Sequence, residues 1–289
     1  MHHSSDNTIN YFNLTRDHYE NFPVASFLIP KNYRKEIAIV YWFARTADDI
    51  ADEGEFSSNY RLEKLEQFEK QFLESIEKGS DHPNFNLLSS VIKKNNLSTD
   101  YFTDLLSAFK QDVIKTRYNN YHEVLDYCKR SANPVGRILL GLFKVHDAEA
   151  IKCSDKICTA LQLTNFYQDT LLDFTKGRIY YPQDELKMFS VTEKMFELKE
   201  NNPNIKALVK YNIERVQQLF DEGRDINNYL SGRFKYEIKW TISGGEKILS
   251  KIRKNDFNVF DYRPVLNKFD FIKLLIKSLF NGRFSKRNI

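Results

Sequence analysis

The chain has only three cysteines, Cys128, Cys153 and Cys158, and none stands in CxxC spacing. An odd, unpatterned set argues against a disulfide framework and against a zinc site, and leaves buried free thiols as the plain reading. Long apolar runs are also missing. The longest, Ile37 to Ala44, is far below the roughly 18 residues a bilayer-spanning helix needs. The Met1-His2-His3-Ser4-Ser5 start has neither a basic nor an apolar secretory region, so a cytoplasmic location is expected. No charge of one sign dominates either. With 43 Lys and Arg against 39 Asp and Glu, the net charge of +4 does not mark a nucleic-acid binder.

Familiar catalytic loops are absent as well. No GxGxxG or GxxxxGK[ST] segment announces a dinucleotide or P-loop site, and there is no GxSxG elbow or HExxH helix. Among the scattered histidines, His82, His122 and His146 read as surface or helix-end residues. Strand alternation, internal repeats and low-complexity linkers are not found, so one all-α domain over residues 1–289 is the simplest organisation.

What is present is helical and aromatic. Ile37, Val40, Tyr41, Ala44, Ala47 and Ala51 draw one apolar face, and Leu62, Leu65, Phe68, Phe72 and Ile76 draw another. Asn133-Pro134 caps a helix through Leu140 and Phe143, and Ile157, Leu161, Thr164 and Gln168 lie on the next. A long helix is expected from about 204 to 230, a break at Gly244-Gly245, and a last helix bearing Phe269, Ile272, Ile276 and Leu279. The 23 Phe and 16 Tyr can line a large apolar core or cavity.

Two acidic clusters stand out against this background. Asp48-Asp49-Ile50-Ala51-Asp52 and Asp169-Thr170-Leu171-Leu172-Asp173 each place carboxylates four residues apart, on one helical face. Like charges so placed cost about 0.2–0.5 kcal/mol unless a cation lies between them. Arg45 precedes the first cluster, Lys176 and Arg178 follow the second, and Lys115, Arg117 and Arg137 add further cations. Such a set suits Mg2+ with a substrate's phosphate oxygens. Solvated acidic helix faces remain the alternative reading of composition and spacing.

The stretches from Tyr41 to Glu53 and from Gln162 to Pro182 resemble the two aspartate motifs of the squalene and phytoene synthases. Four further segments fit the bacterial hydroxysqualene synthase branch: His18 to Pro23, Ser131 to Arg137, Gly244 to Leu249 and Tyr262-Arg263-Pro264. The resemblance implies the all-α isoprenoid synthase fold, with helices around a central cavity, and Mg2+ as cofactor. Asp48, Asp52, Asn165, Asp169 and Asp173 then fall at metal positions. His18, Asn21, Tyr41, Arg45, Gln162 and Gln168 fall where relatives touch a prenyl diphosphate, with Lys176, Arg178 and Tyr180 as further contacts and Tyr41, Arg45 and Tyr118 as catalytic candidates.

Many condensing relatives carry Arg before the second motif, where this chain has Gln168. The missing cation favours a site for one diphosphate, and so conversion of presqualene diphosphate and water to hydroxysqualene in hopanoid and squalene synthesis. Asn21 stands where several relatives have Ser. Head-to-head condensation of two prenyl diphosphates, a non-catalytic prenyl-lipid binder and a plain helical scaffold are the alternatives. From Val265 to Ile289, six Lys and Arg against one Asp, with one apolar face, are compatible with a peripheral contact at the inner membrane surface.

Overall fold

The computed structural model describes residues 29–267 and 269–270, and no strand occurs among them. His18, Asn21 and the helix expected to carry Ile272, Ile276 and Leu279 lie outside the described residues. No described helix is long and apolar enough to cross a membrane. The three cysteines are free thiols, Cys128 being buried.

Helix α1, Lys31–Asp52, buries the predicted stripe of Ile37, Val40, Tyr41, Ala44, Ala47 and Ala51. It packs on α2, Ser58–Glu77, and α3, Pro83–Asn95, through a block of rings: Phe43 lies 4.9 Å from Phe72 and 5.3 Å from Phe68, centroid to centroid. Ser57 caps α2 by accepting the Tyr60 amide, and Pro83 opens α3 at a position where its missing N–H costs nothing. Then come α4, Asp100–Ile114; α5, Tyr121–Ser131; and α6, Asn133–Leu142.

Helix α7, Ala148–Gln168, is central. Asp147 caps it, and it packs on α6, on α11, Pro203–Gly223, and on α12, Gly232–Lys254. Ala150, Ile157, Ala160, Leu163, Phe166 and Tyr167 are buried on several sides of it, and only its N-terminal half keeps exposed charges, at Glu149, Lys152 and Lys156. Short helices α8, Thr170–Thr175; α9, Gln183–Met188; and α10, Glu193–Glu197, link it to α11. The described buried side chains join into one contiguous core.

Two boundaries differ from the sequence expectation. The long helix stops at Gly223 and continues only as a 3-10 turn, Arg224–Asn228. The Gly244-Gly245 pair does not break the chain, because α12 runs straight through it. Gly245 serves close packing: a Cβ there would lie 2.6 Å from Phe220 Cζ and 3.0 Å from Leu161 Cδ2. A Cβ at Gly244 would meet Leu266 Cδ1 at an ordinary 3.5 Å. Gly245→Ala should therefore destabilise the protein by about 1–3 kcal/mol in urea unfolding through overpacking. Gly244→Ala should be neutral, or stabilising by up to about 1 kcal/mol, as a glycine removed from a helix interior.

Candidate active site

Position four on one helix explains how the first acidic pair is presented. Asp48 and Asp52 fall one turn apart at the end of α1, on the side facing the C-terminal end of α7. The second pair sits at a junction. α7 ends at Gln168, Asp169 bridges to α8, and the Asp173 amide donates to the Asp169 carbonyl at 2.8 Å, which keeps the one-turn spacing across the break.

Between the two pairs is a polar cavity of about 190 Å³. Asp48 and Asp52 line one side, Gln162, Asn165, Asp169 and Asp173 the other, with Arg178 between them. Aromatic rings form part of its wall: Phe166 and Tyr180 stack in parallel at 3.6 Å, and Tyr127 lies 5.9 Å from Phe166. Ligand pockets for drug-sized molecules run to about 300–1,000 Å³, so this space matches a head group rather than a long apolar chain.

Cations from the chain neutralise the acids. Arg45 reaches Asp48 at 3.1 Å, Asp49 at 2.5 Å and Glu53 at 2.6 Å. Arg178 grips Asp52 with both terminal nitrogens, at 2.6 and 3.2 Å, and Lys176 adds a contact at 3.0 Å. Arg263, from the segment after α12, pairs with Asp169 through Nε and through Nη2 at 3.2 Å. Burial pushes the Asp48 carboxyl up to about 6, with the Asp52 charge adding to it and Arg45 opposing. Burial likewise pushes Asp173 up to about 7, helped by Asp169. For Asp52 burial acts in the same direction, but the hydrogen bonds and charges of Arg178 and Lys176 outweigh it and hold the group below the usual carboxylate range.

Among the described residues no three acids converge into a closed metal cage. The donor set is nonetheless all carboxylate and amide oxygen, which suits a hard cation held by one or two carboxylates from each wall and completed by substrate oxygens.

The predicted site residues divide. Asp48, Asp52, Gln162, Asn165, Asp169, Asp173, Arg178 and Tyr180 line the one cavity, and Lys176 and Arg45 contact its acids from outside. Tyr41 is buried in the core face of α1 and is not in the lining. Tyr118 is not there either: it is fully buried behind Tyr127 and Tyr180, and its hydroxyl accepts from Gln111 at 3.3 Å. Gln168 turns away from the cavity, its amide donating to the Pro264 carbonyl at 2.8 Å. Arg263 stands on Asp169 instead, so the second motif has a basic partner that arrives from a distant part of the chain.

The squalene/phytoene synthase family profile matches residues 15–270. The chain belongs to that family. It is thereby an enzyme of isoprenoid biosynthesis. It is 32% identical over 241 residues to the hydroxysqualene synthase of Sinorhizobium fredii, covering 82% of this chain and 80% of that one. With the hydroxysqualene synthase of Rhodopseudomonas palustris it shares 34% over 244 residues, again 82% and 80%. The crystal structure of a squalene synthase from Alicyclobacillus acidocaldarius superposes with a TM-score of 0.80 at 35% identity, over 86% of this chain and 94% of that one.

Sequence reasoning missed three lining residues of this synthase: Phe166, which lies within the second motif, and Asp112 and Tyr127, which lie outside both. Asp112 is near the end of α4 and Tyr127 on α5, and the tyrosine hydroxyl donates to Asp112 Oδ2 at 2.5 Å. Nothing in either local segment separates them from ordinary helix residues, since Asp112 follows Lys110 and Gln111 on an ordinary amphipathic helix. Burial pushes Asp112 up to about 7, against the Tyr127 hydrogen bond and the Arg178 charge. A carboxyl raised on folding takes up protons in the native state, so its cost to stability grows from the unfolded value near 4 and is complete above about 7. Melting of the metal-free protein tests this: Asp112→Asn should raise the melting temperature at pH 8 relative to the parent, and the gain should vanish near pH 4.

Proposed function

We propose that this synthase converts presqualene diphosphate and water to hydroxysqualene and diphosphate with Mg2+, as a single catalytic domain. The observation that carries the reading is the small polar cavity in which both acidic pairs face one arginine, Arg178, beneath aromatic walls. Two relatives named hydroxysqualene synthases, at 32% and 34% identity, support the choice of reaction.

Asp48 and Asp52 on one wall, with Asn165, Asp169 and Asp173 on the other, would hold the metal. When bound, Mg2+ draws charge from the diphosphate oxygens and so assists departure of the leaving group. Arg45, Lys176 and Arg178 bind the remaining anionic oxygens, exchanging the carboxylates they now neutralise for phosphate. Phe166, Tyr180 and Tyr127 keep bulk water from the carbocation left behind, and each ring face can stabilise a cation by roughly 0.5–2 kcal/mol. Water capture then gives the alcohol, and no reductant is needed.

One observation favours a second reading. The neutral Gln168 argued for a single diphosphate, yet Arg263 supplies a guanidinium at the adjacent Asp169. A site with that cation could hold two diphosphate heads, as head-to-head condensation of two prenyl diphosphates requires.

Incubating the purified full chain and Mg2+ with presqualene diphosphate, and separately with farnesyl diphosphate, without NADPH, decides between them. Hydroxysqualene from the first and nothing from the second is the expected result; a C30 or C40 product from farnesyl or geranylgeranyl diphosphate alone would establish condensation. Asp48→Ala and Asp169→Ala should each lower kcat/KM by about a hundredfold or more, since each removes charge stabilisation made at the leaving group. An unchanged rate in either variant would mean that the acids are merely solvated.

A further inference from the structure

The reaction needs a group to accept the proton of the captured water, and the two aspartate motifs do not provide it. Asp48 faces Arg45, Asp52 faces Arg178 and Lys176, and Asp169 faces Arg263. These acids are committed to cations, and with Asp173 they are the ones that would hold the metal. Gln162 and Asn165 offer amides, which orient a water but are too weakly basic to take its proton. Tyr127 is a donor: burial and the neighbouring Asp112 charge raise its hydroxyl well above the usual range, so it stays protonated.

Asp112 is the one lining carboxylate outside both motifs. Its surroundings fix it without consuming it. Tyr127 holds Oδ2 at 2.5 Å, and Arg178 Nη2 donates to the Asp112 backbone carbonyl at 3.0 Å while gripping Asp52. That second contact ties the end of α4 to the first aspartate motif. Oδ1 is buried, and no described protein group hydrogen-bonds it. A buried carboxylate oxygen without a donor costs about 1–3 kcal/mol or more, and a bound water with two O–H groups is the natural donor to satisfy it.

We propose that Asp112, oriented by Tyr127, binds the capturing water through Oδ1 and accepts its proton. The inference rests on the water-capture reading given above. The balance is simple. The C–O bond between the cyclopropylcarbinyl carbon and diphosphate breaks with its electron pair leaving on the phosphate oxygen; a bond of the three-membered ring then breaks as the cation rearranges; the water oxygen forms the new C–O bond to the rearranged cation; and the surplus proton passes to Asp112. Asp112 returns it to the departing diphosphate or to solvent before the next turnover. Tyr127 is a positioning residue here, keeping Oδ2 occupied so that Oδ1 faces the water.

The test separates ionisation from capture by measuring diphosphate release and hydroxysqualene together, on the full chain with Mg2+ and presqualene diphosphate. In Asp112→Asn, hydroxysqualene formed per diphosphate released should fall about tenfold or more, the scale of a lost general base, with the balance appearing as hydrocarbons formed by proton loss. Half-saturation by Mg2+ should stay near the parental value. Tyr127→Phe, which leaves the carboxylate but frees its orientation, should lower the same ratio less, and it decides the matter if Asp112→Asn does not fold. A parental product ratio in a folded variant overturns the proposal. So does a loss of Mg2+ affinity with the ratio unchanged, which would make Asp112 a metal or structural group. A parent protein that releases no hydroxysqualene at all fails differently: it overturns the proposed function, and this inference with it.

Discussion

Five carboxylates, Asp48, Asp52, Asp112, Asp169 and Asp173, converge on a cavity of about 190 Å³, and their mutual repulsion is the constraint on which the rest depends. Two unit charges about 4 Å apart near a protein surface repel by about 4 kcal/mol, so the acids can be gathered only if cations answer them or protons neutralise some of them. Both responses are visible. Arg45, Arg178, Lys176 and Arg263 pair with three of the acids, while burial raises Asp48, Asp112 and Asp173 towards neutrality. The arrangement is costly for a folded chain and useful for a site that must accept a divalent cation together with a polyanion.

The scaffold holds this charge in place by apolar packing. α1 is fixed by Phe43 among Phe68, Phe72 and Phe102, and α7 by burial on several sides. Behind the second motif, Tyr167 donates to Asn212 at 2.7 Å, and Asn212 in turn binds Glu185 and Arg215. That buried network anchors the residue two positions before Asp169. The aspartates can therefore be strained electrostatically without the helices that bear them giving way.

Much of this was legible in the sequence because it is local. The stripe from Ile37 to Ala51 and the one-turn spacing of Asp48 and Asp52 are properties of a single helix, and both appear as read, whereas Asp169 and Asp173 keep their spacing across the junction of α7 and α8. What escaped was tertiary. Gly244-Gly245 has the look of a breaker, but the close approach of Phe220 and Leu161 to Gly245 can be known only once α7, α11 and α12 are assembled. Gln168 stands beside a motif acid in sequence yet turns to Pro264, whereas Arg263, remote in sequence, takes Asp169. Tyr118, a catalytic candidate carried by the resemblance, is buried behind the site, and it is Tyr127, in the middle of α5, that reaches the cavity. Asp112 carried no motif at all.

If the two acidic walls form one site, metal and diphosphate must bind it together, because no three described acids close around an ion by themselves. Calorimetric titration of Mg2+ into the full chain, with and without inorganic diphosphate, tests that claim most directly, repeated on Asp48→Ala and Asp169→Ala. The account predicts that diphosphate strengthens Mg2+ binding about tenfold or more, a coupling of some 1.4 kcal/mol, and that removing an acid from either wall abolishes the gain. Mg2+ binding that is indifferent to diphosphate, or a gain that survives loss of one wall, would contradict it.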